Sequence, residues 1–494
     1  MADPLLPYLL PKFKSLSDKA ALGYFFLAAF LIRFPFFFRD YIDRDESTFI
    51  LMGQSWVDGH LPYTELWDVK PPLTFAFFAA LIHLFGKSFV AIRLAGTVLV
   101  AVTAWYTYKL GKTRLPSSWA YGIGMACVAL QSLFGSIQGV MSEHICMAFF
   151  MMGLYLFLEH RKWSTMLAVG LLMGIVFMVK LNMAYAILFL GLFALYRVMA
   201  TKDWIRGGLG VLLFGLGIIT VALLTLLPYY QEGLVRLWWA SNFEAPVDYA
   251  NARRYSIWGL LPYFLAFFAF LGWSRHKKVL DFKNGHTQVL VLVTLGILFS
   301  FVKAGRVNSH YLIQLYPCLL LLLGLALYHS GIKKRVLRWP VYTMVILLVP
   351  AESYLEYANI IKHKNTHGTL YNGEGFSVPK YIQDHGLETE NILFLGYHIG
   401  YWVLDRKPPT KAATHPSNLV KEEMFSAYGN PRKTSMEELR YIMETLKPKT
   451  VVVRKNRSIF DEKEVDENIY MDAYLQQHYR IVATVEKAEI LQRL

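Results

Sequence analysis

Residues 20–38 read AALGYFFLAAFLIRFPFFF, and RDYIDRDE follows at once as residues 39–46. A run of that length with one internal charge, Arg33, is long enough to cross the roughly 30 Å hydrocarbon core of a bilayer as a helix. The abrupt change to Arg39, Asp40, Asp43, Arg44, Asp45 and Glu46 marks its exit at a membrane surface. Lys12, Lys14 and Lys19 precede the run. It is too long for a signal h-region and no small-residue cleavage site follows it, so the span is expected to stay in the protein.

Outward from this span, apolar runs of crossing length recur. Candidate spans are 20–38, 88–110, 119–137, 142–158, 164–180, 182–199, 208–229, 257–273, 288–303, 310–329 and 339–355, about eleven in all. The composition agrees, with 55% hydrophobic and only 17% charged residues over 494 positions, which is too apolar for a soluble chain of this length. Basic residues mark alternate connections: Lys109, Lys112 and Arg114; Arg161 and Lys162; Lys202 and Arg206; Arg275, Lys277 and Lys278; and Lys333, Lys334, Arg335 and Arg338. Placing all five groups in the cytoplasm satisfies the positive-inside rule, with the N-terminus inside and the 39–87 loop outside. Residues 73–86 (LTFAFFAALIHLFG) are apolar but too short to span, and counting them would invert every later basic loop; they read as a helix lying in the outer interface.

The net charge of +14 is unevenly distributed. Residues 356–494 hold 19 basic and 19 acidic side chains, so the earlier part holds the remaining 31 of 50 basic and 17 of 36 acidic ones and carries the whole excess. A basic membrane part suits anionic membrane lipids and a phosphate-bearing substrate, whereas nucleic acid binding would call for a soluble basic face. Cys127, Cys146 and Cys318 all lie in apolar runs without ligand spacing, so neither a disulfide framework nor a structural zinc is expected. The chain therefore divides into a membrane part, 1–355, and a C-terminal part, 356–494, placed outside the cytoplasm by the odd number of spans. The latter reads as a small soluble α/β module. Its strands are expected at 391–396, 450–454 and 480–485, and its helices at 377–385, 434–447 and 466–478. It shows no phosphate-binding glycine loop and is read as a lid or docking element.

The chemistry is concentrated in the first external loop. Asp43, Asp45 and Glu46 sit at the exit of the first span, and Lys70 of Lys70-Pro71-Pro72 follows on the same side. A carboxylate can remove a proton from a hydroxyl while a cation receives a phosphate leaving group. The two prolines bias Lys70 away from helix and fix the direction of its side chain. Further ionisable residues stand at outer ends of spans, where they are costly unless useful: Glu143 and His144, Lys180, and Arg306, His310 and Tyr311. His144 reads as structural as often as functional. Trp238 and Trp239 read as an aromatic interface belt.

The stretch DRDESTF at 43–49, followed by WDVKPPL at 67–73, closely resembles the first external loop of polyprenyl-phosphate-sugar glycosyltransferases of the GT-C superfamily. The branch is the one holding protein mannosyltransferases and the lipid A aminoarabinose transferase. The resemblance implies Asp45 as general base and Lys70 as the contact to the carrier phosphate. Asp43, Glu46, Glu143, Lys180, Arg306, His310 and Tyr311 are the expected substrate-binding residues. It also implies a polytopic helical fold of GT-C type with juxtamembrane helices in the first loop and a small soluble C-terminal domain.

The expected partners are a polyprenyl-phosphate-linked sugar donor and a lipid, glycan or protein acceptor at the outer side of the plasma membrane. No cofactor is required by this chemistry. A divalent cation is left open, although Val69 stands where the aminoarabinose branch has a glutamate before the lysine. Two other classes share many of these features. A glycan ligase would use a diphosphate carrier and lean on arginine and histidine. A lipid-linked sugar transporter would place charges or broken helices near mid-membrane and show internal repeats.

Overall fold

The computed structural model describes residues 17–40, 42–133, 135–160, 162–252, 256–304, 308–331 and 350–494. The first predicted span forms helix α1 (Asp18–Arg33), capped by Ser17 and continuing as a 3₁₀ segment over Phe34–Phe38. The first loop then carries two helices, α2 (Arg44–Val57) and α3 (Pro72–Phe85). Eight long helices follow: α4 (Phe89–Lys112), α5 (Ser117–Leu130), α6 (Ser142–Glu159), α7 (Thr165–Val179), α8 (Ala184–Thr201), α9 (Arg206–Gln231), α10 (Leu261–His276) and α11 (Gly285–Ala304). Helix α12 (Leu312–His329) is the last of these among the described residues. Each falls on a predicted span except α2 and α3. Most of the predicted span at 339–355 lies outside the described residues.

Among the described residues seven helices are long and apolar enough to cross a membrane, which makes this a multi-pass membrane protein. Helices α5 and α7, of 14 and 15 residues, coincide with predicted spans but are shorter than that standard. Helix α3 also has 14 residues, about 21 Å of rise, well short of the apolar core of a bilayer.

The chain forms two compact units. The first contains residues up to Pro35, 93–224 and 253–356. In it α6 packs on α7, α8 on α11, α11 on α12, and α12 on α5 and α6. Between α7 and α9 the approach is so close that a Cβ on Gly170 would lie 2.3 Å from the Phe214 carbonyl oxygen, and one on Gly217 2.6 Å from the Leu171 nitrogen. Small residues substitute for hydrophobic driving force where apolar helices pack in lipid. Arg33, fully buried, donates to the carbonyls of Gln131, Ile137 and Gly139 at 3.3, 2.6 and 2.7 Å, tying the end of α1 to the turn before α6.

The second unit joins 36–92 and 225–252 to the C-terminal residues 357–494. Its sheet has the order β1 (Leu393–Phe394), β2 (Thr450–Arg454), β4 (Ala488–Arg493), β3 (Tyr479–Val485). β1 and β2 are parallel, with Leu393 opposite Val451; the other pairs are antiparallel, with Leu491 between Val451 and Ile481. Three strands fall where the sequence placed them. The fourth, AEILQR at 488–493, was not anticipated, because three of its six residues are polar and only its central place between two strands makes it one. The longer helices of this part are α13 (Ala351–His367), α14 (Glu374–Asp384), α15 (Ser435–Arg440) and α16 (Val465–His478), with a single short turn of helix at Gly400–Val403. α15 opens on a capping box, Thr434 with Glu437, and widens into a π-turn over Tyr441–Leu446.

The first loop and the C-terminal part share a core. Trp67 is fully buried, donates its indole N–H to Ser241 Oγ at 3.0 Å and lies 4.7 Å from the Tyr428 ring. Trp402 donates to Gln54 Oε1 at 2.9 Å and meets Phe89 edge-on. Asp40 accepts the backbone N–H of Gly375, and the pairs Lys87–Asp405 and Lys407–Glu65 clasp the rim. Trp238 is also buried in this unit, 5% exposed, so it does not stand in an interface belt; Trp239 is half exposed.

Candidate active site

Helix α2 begins where it does because Asp43 caps it: its Oδ1 accepts the backbone N–H of Asp45 at 2.8 Å. That cap sets Asp45 in the first turn, while Glu46 turns inward and is 1% exposed. The close packing of α2 against α3 rests on Gly53, whose Cβ would lie 2.8 Å from Phe78 Cβ and 2.9 Å from the Ala79 nitrogen. Pro71 and Pro72 start α3, a position where a missing N–H costs nothing. Lys70 is thereby left extended just before the helix, and its carbonyl is fixed by the Tyr63 hydroxyl at 2.6 Å.

This arrangement brings Lys70 Nζ to 3.3 Å from Asp45 Oδ2, with Nζ 5.6 Å from the centre of the Phe49 ring. Both side chains keep about a fifth to a quarter of their surface, 20% for Lys70 and 24% for Asp45, so the pair is reachable from outside.

The C-terminal part adds residues that the sequence reading passed over. His415 Nε2 lies 3.6 Å from Asp45 Oδ1. His398 Nε2 is 2.9 Å from Thr48 Oγ1 on α2, and the two imidazole rings are 5.6 Å apart. Burial pushes both histidines below their ordinary value; for His415 it outweighs the opposing pull of Asp45, so both rings are neutral near pH 7. Nearby, Thr414 Oγ1 accepts the Trp67 backbone N–H at 3.3 Å, and Asn418 reaches Asp68 at 3.5 Å. The signal that could have found His415 is the proline-containing, aperiodic run KAATHPSN at 411–418 in an otherwise regular module.

A second charged cluster lies within the helical unit. Lys180 Nζ is 2.5 Å from Glu143 Oε1 and 3.3 Å from Ser142 Oγ, which itself donates to Glu143 Oε2 at 3.1 Å. The Glu143 and Lys180 side chains are 1% and 7% exposed. His310 Nε2 is 3.9 Å from Glu143 Oε1, and the Tyr311 ring centre is 5.0 Å from Lys180 Nζ. Four predicted residues from three chain segments thus converge. His144 does not join them: its Nδ1 accepts the Met141 N–H at 3.1 Å and its Nε2 lies 3.0 Å from the Gln131 carbonyl, so the ring is spent on backbone. Arg306 lies outside the described residues.

A divalent cation fits poorly beside Asp45. Lys70 already occupies Oδ2, Val69 offers no ligand, and among the described residues no three His, Cys, Asp or Glu side chains converge.

Asp45 in the first turn of α2 and Lys70 just before α3 thus form a carboxylate–lysine pair carried on a polytopic helical frame. Residues 69–229 match the family of dolichyl-phosphate-mannose-protein mannosyltransferases, a segment that includes Lys70, Glu143 and Lys180 and begins beyond Asp45. Among solved structures, the fold is similar to that of ArnT from Cupriavidus metallidurans bound to undecaprenyl phosphate, at TM-score 0.58 and 13% identity over 95% of this chain and 97% of that one. The apo state of the same enzyme gives 0.59 and 13% over 97% and 99%. An Archaeoglobus fulgidus oligosaccharyltransferase tethered to an acceptor peptide is more distant, at 0.45 and 11% over 90% and 69%. No curated protein matches the chain in sequence.

Proposed function

We propose that this protein is a glycosyltransferase that moves one sugar from a polyprenyl-phosphate carrier to a hydroxyl acceptor at the outer face of the membrane, with inversion at the anomeric carbon. The observation that carries the proposal is the pairing of Asp45 with Lys70 at 3.3 Å: a base and a phosphate-binding cation held together by two different elements. The likeness to an enzyme solved with undecaprenyl phosphate supports the carrier, as does the description of the matching family.

In the resting protein Lys70 sits on Asp45 and masks it. The donor's phosphate competes for the same ammonium, and when it takes Lys70 the carboxylate is released to act. Asp45 then accepts the proton of the acceptor hydroxyl as its oxygen bonds to the anomeric carbon. The bond from that carbon to the phosphate oxygen breaks, and the electron pair leaves with the polyprenyl phosphate, whose charge Lys70 meets. A single displacement with one base and no carboxylate nucleophile inverts the centre. Asp43 acts through the helix cap that fixes Asp45, and Glu46 through its buried place behind it. Lys180, His310 and Tyr311, with Glu143 as the counter-charge of Lys180, are assigned to substrate binding in the helical unit. In this reading the N-terminus lies in the cytoplasm and the C-terminal part outside, which the alternation of basic connections supports.

Purified protein given a radiolabelled polyprenyl-phosphate sugar tests this. Release of free polyprenyl phosphate with label on the acceptor supports the proposal. Use of a diphosphate carrier with release of polyprenyl diphosphate would mark a ligase, and intact donor on the far leaflet of a vesicle would mark a transporter.

A further inference from the structure

Residues 411–428 are built from three short 3₁₀ turns, Ala412–Thr414, Pro416–Val420 and Glu422–Tyr428, rather than from a regular element. The His415 ring at their first junction is 7% exposed. Its Nδ1 accepts the backbone N–H of Ser417 at 3.1 Å, with the Ser417 hydroxyl 2.8 Å from the same nitrogen. A ring nitrogen that accepts a backbone N–H has no room for a proton of its own, so the proton of the neutral ring sits on Nε2. That nitrogen is the one 3.6 Å from Asp45 Oδ1, while Lys70 is on Oδ2.

We propose that His415 is a positioning residue for Asp45: locked by Ser417 as the Nε2–H tautomer, it holds Oδ1 in place while Oδ2 exchanges Lys70 for the acceptor hydroxyl. The inference rests on the reading of Asp45 as the base. The separation of 3.6 Å is a few tenths of an ångström beyond a hydrogen bond, the kind of gap that closes when substrate binds. Once Lys70 turns to the donor phosphate, Oδ2 loses that contact, and a fixed N–H on Oδ1 helps to keep Oδ2 aimed at the acceptor. The ring does not carry the proton onward. Nε2 already bears a hydrogen and Nδ1 faces an N–H, so the proton taken by Asp45 passes to water after the product leaves. Charged and titratable groups that act on the ring besides Asp45 include His398, Lys421 and Asp68. The C-terminal part thereby supplies a piece of the catalytic apparatus rather than a cover for it.

The test compares His415→Ala, His415→Gln, Asp45→Asn and the double variant Asp45→Asn/His415→Ala in the full-length protein, by polyprenyl phosphate release across pH. Misplacement of a reacting group lowers activity by up to about 100-fold, and on the order of 10- to 100-fold is expected for loss of its orienting partner. His415→Ala is expected to lose that much kcat with donor KM within about twofold, and to move the acidic limb of the pH–rate profile upward, because an N–H that favours the carboxylate is gone. His415→Gln, which returns a neutral N–H near the Nε2 position, is expected to recover most of the rate and of the profile. On top of Asp45→Asn, His415→Ala is expected to cost nothing further. A normal rate in His415→Ala beside an inactive Asp45→Asn would overturn the role of His415 and leave Asp45 as base. A slow His415→Ala with an unmoved profile, no rescue by Gln, and full additivity with Asp45→Asn would make the residue merely structural and overturn the proposal as well. An active Asp45→Asn would remove the base itself, and the role of His415 with it.

Discussion

Replacing Asp45 by asparagine separates chemistry from stability, because the structure assigns the two very different magnitudes. The amide is nearly isosteric, and the cap on the Asp45 backbone N–H comes from Asp43, which is untouched. What the folded state loses is an ion pair with Lys70 in which both side chains are a fifth to a quarter exposed. Pairs of that kind contribute about 0–1 kcal/mol, so the melting temperature should fall by no more than about 2 °C. Loss of a general base, by contrast, costs on the order of 100- to 10,000-fold in rate, about 2.7 to 5.4 kcal/mol of barrier. The assay is release of labelled polyprenyl phosphate by purified protein in nanodiscs, alongside a melting curve. Donor binding should persist, because Lys70 loses its internal competitor and keeps its charge. Turnover within tenfold of the unsubstituted protein would refute Asp45 as the base, and a melting temperature lowered by 8 °C or more would refute the energetic reading of the pair.

Lys70→Ala should raise the donor KM and slow turnover, and Lys70→Arg should restore part of both, since the charge survives but the geometry changes; unchanged donor affinity and rate in Lys70→Ala would move the phosphate site elsewhere. In the helical unit, Lys180→Met strands the buried Glu143 carboxylate and should destabilise the protein by about 3–5 kcal/mol, whereas the double change Glu143→Gln/Lys180→Met should regain much of it. Equal melting temperatures for the single and double variants would show that the pair is not buried as described. The neutral, buried His398 and His415 refuse protons that the unfolded chain accepts below its ordinary histidine value of 6.5. Stability should therefore decline as pH falls from 6.5, and a His398→Gln/His415→Gln variant should show a flatter melting temperature between pH 6.5 and 5. For topology, Cys127, Cys146 and Cys318 are buried, so single cysteines at the exposed positions Lys277 and Glu462 can be read against a silent background. An impermeant maleimide applied to intact cells should label position 462 and spare 277, and the reverse pattern would invert the proposed orientation.

The membrane helices were legible in the sequence because burial in lipid is a one-dimensional demand: enough apolar residues in a row, interrupted by charge at the surface. The same is true of Lys70, whose direction is set by the two prolines beside it, whereas α2 and its Asp43 cap came only with the structure. Even the Glu143–Lys180 pair could be suspected, because each residue alone is an expensive charge at the end of an apolar helix. Their partnership, and the arrival of His310 and Tyr311, was decided by the packing of α12 on α6 and the turn between α7 and α8. The sequence also divided the chain at residue 356, whereas the folded second unit gathers 36–92, 225–252 and 357–494 around Trp67, Trp402 and Tyr428. A core assembled from three distant segments leaves no periodic trace in any one of them. His415 was hidden for that reason: the contact that gives it meaning lies with a residue near the other end of the chain, and only the tertiary fold brings the two within reach.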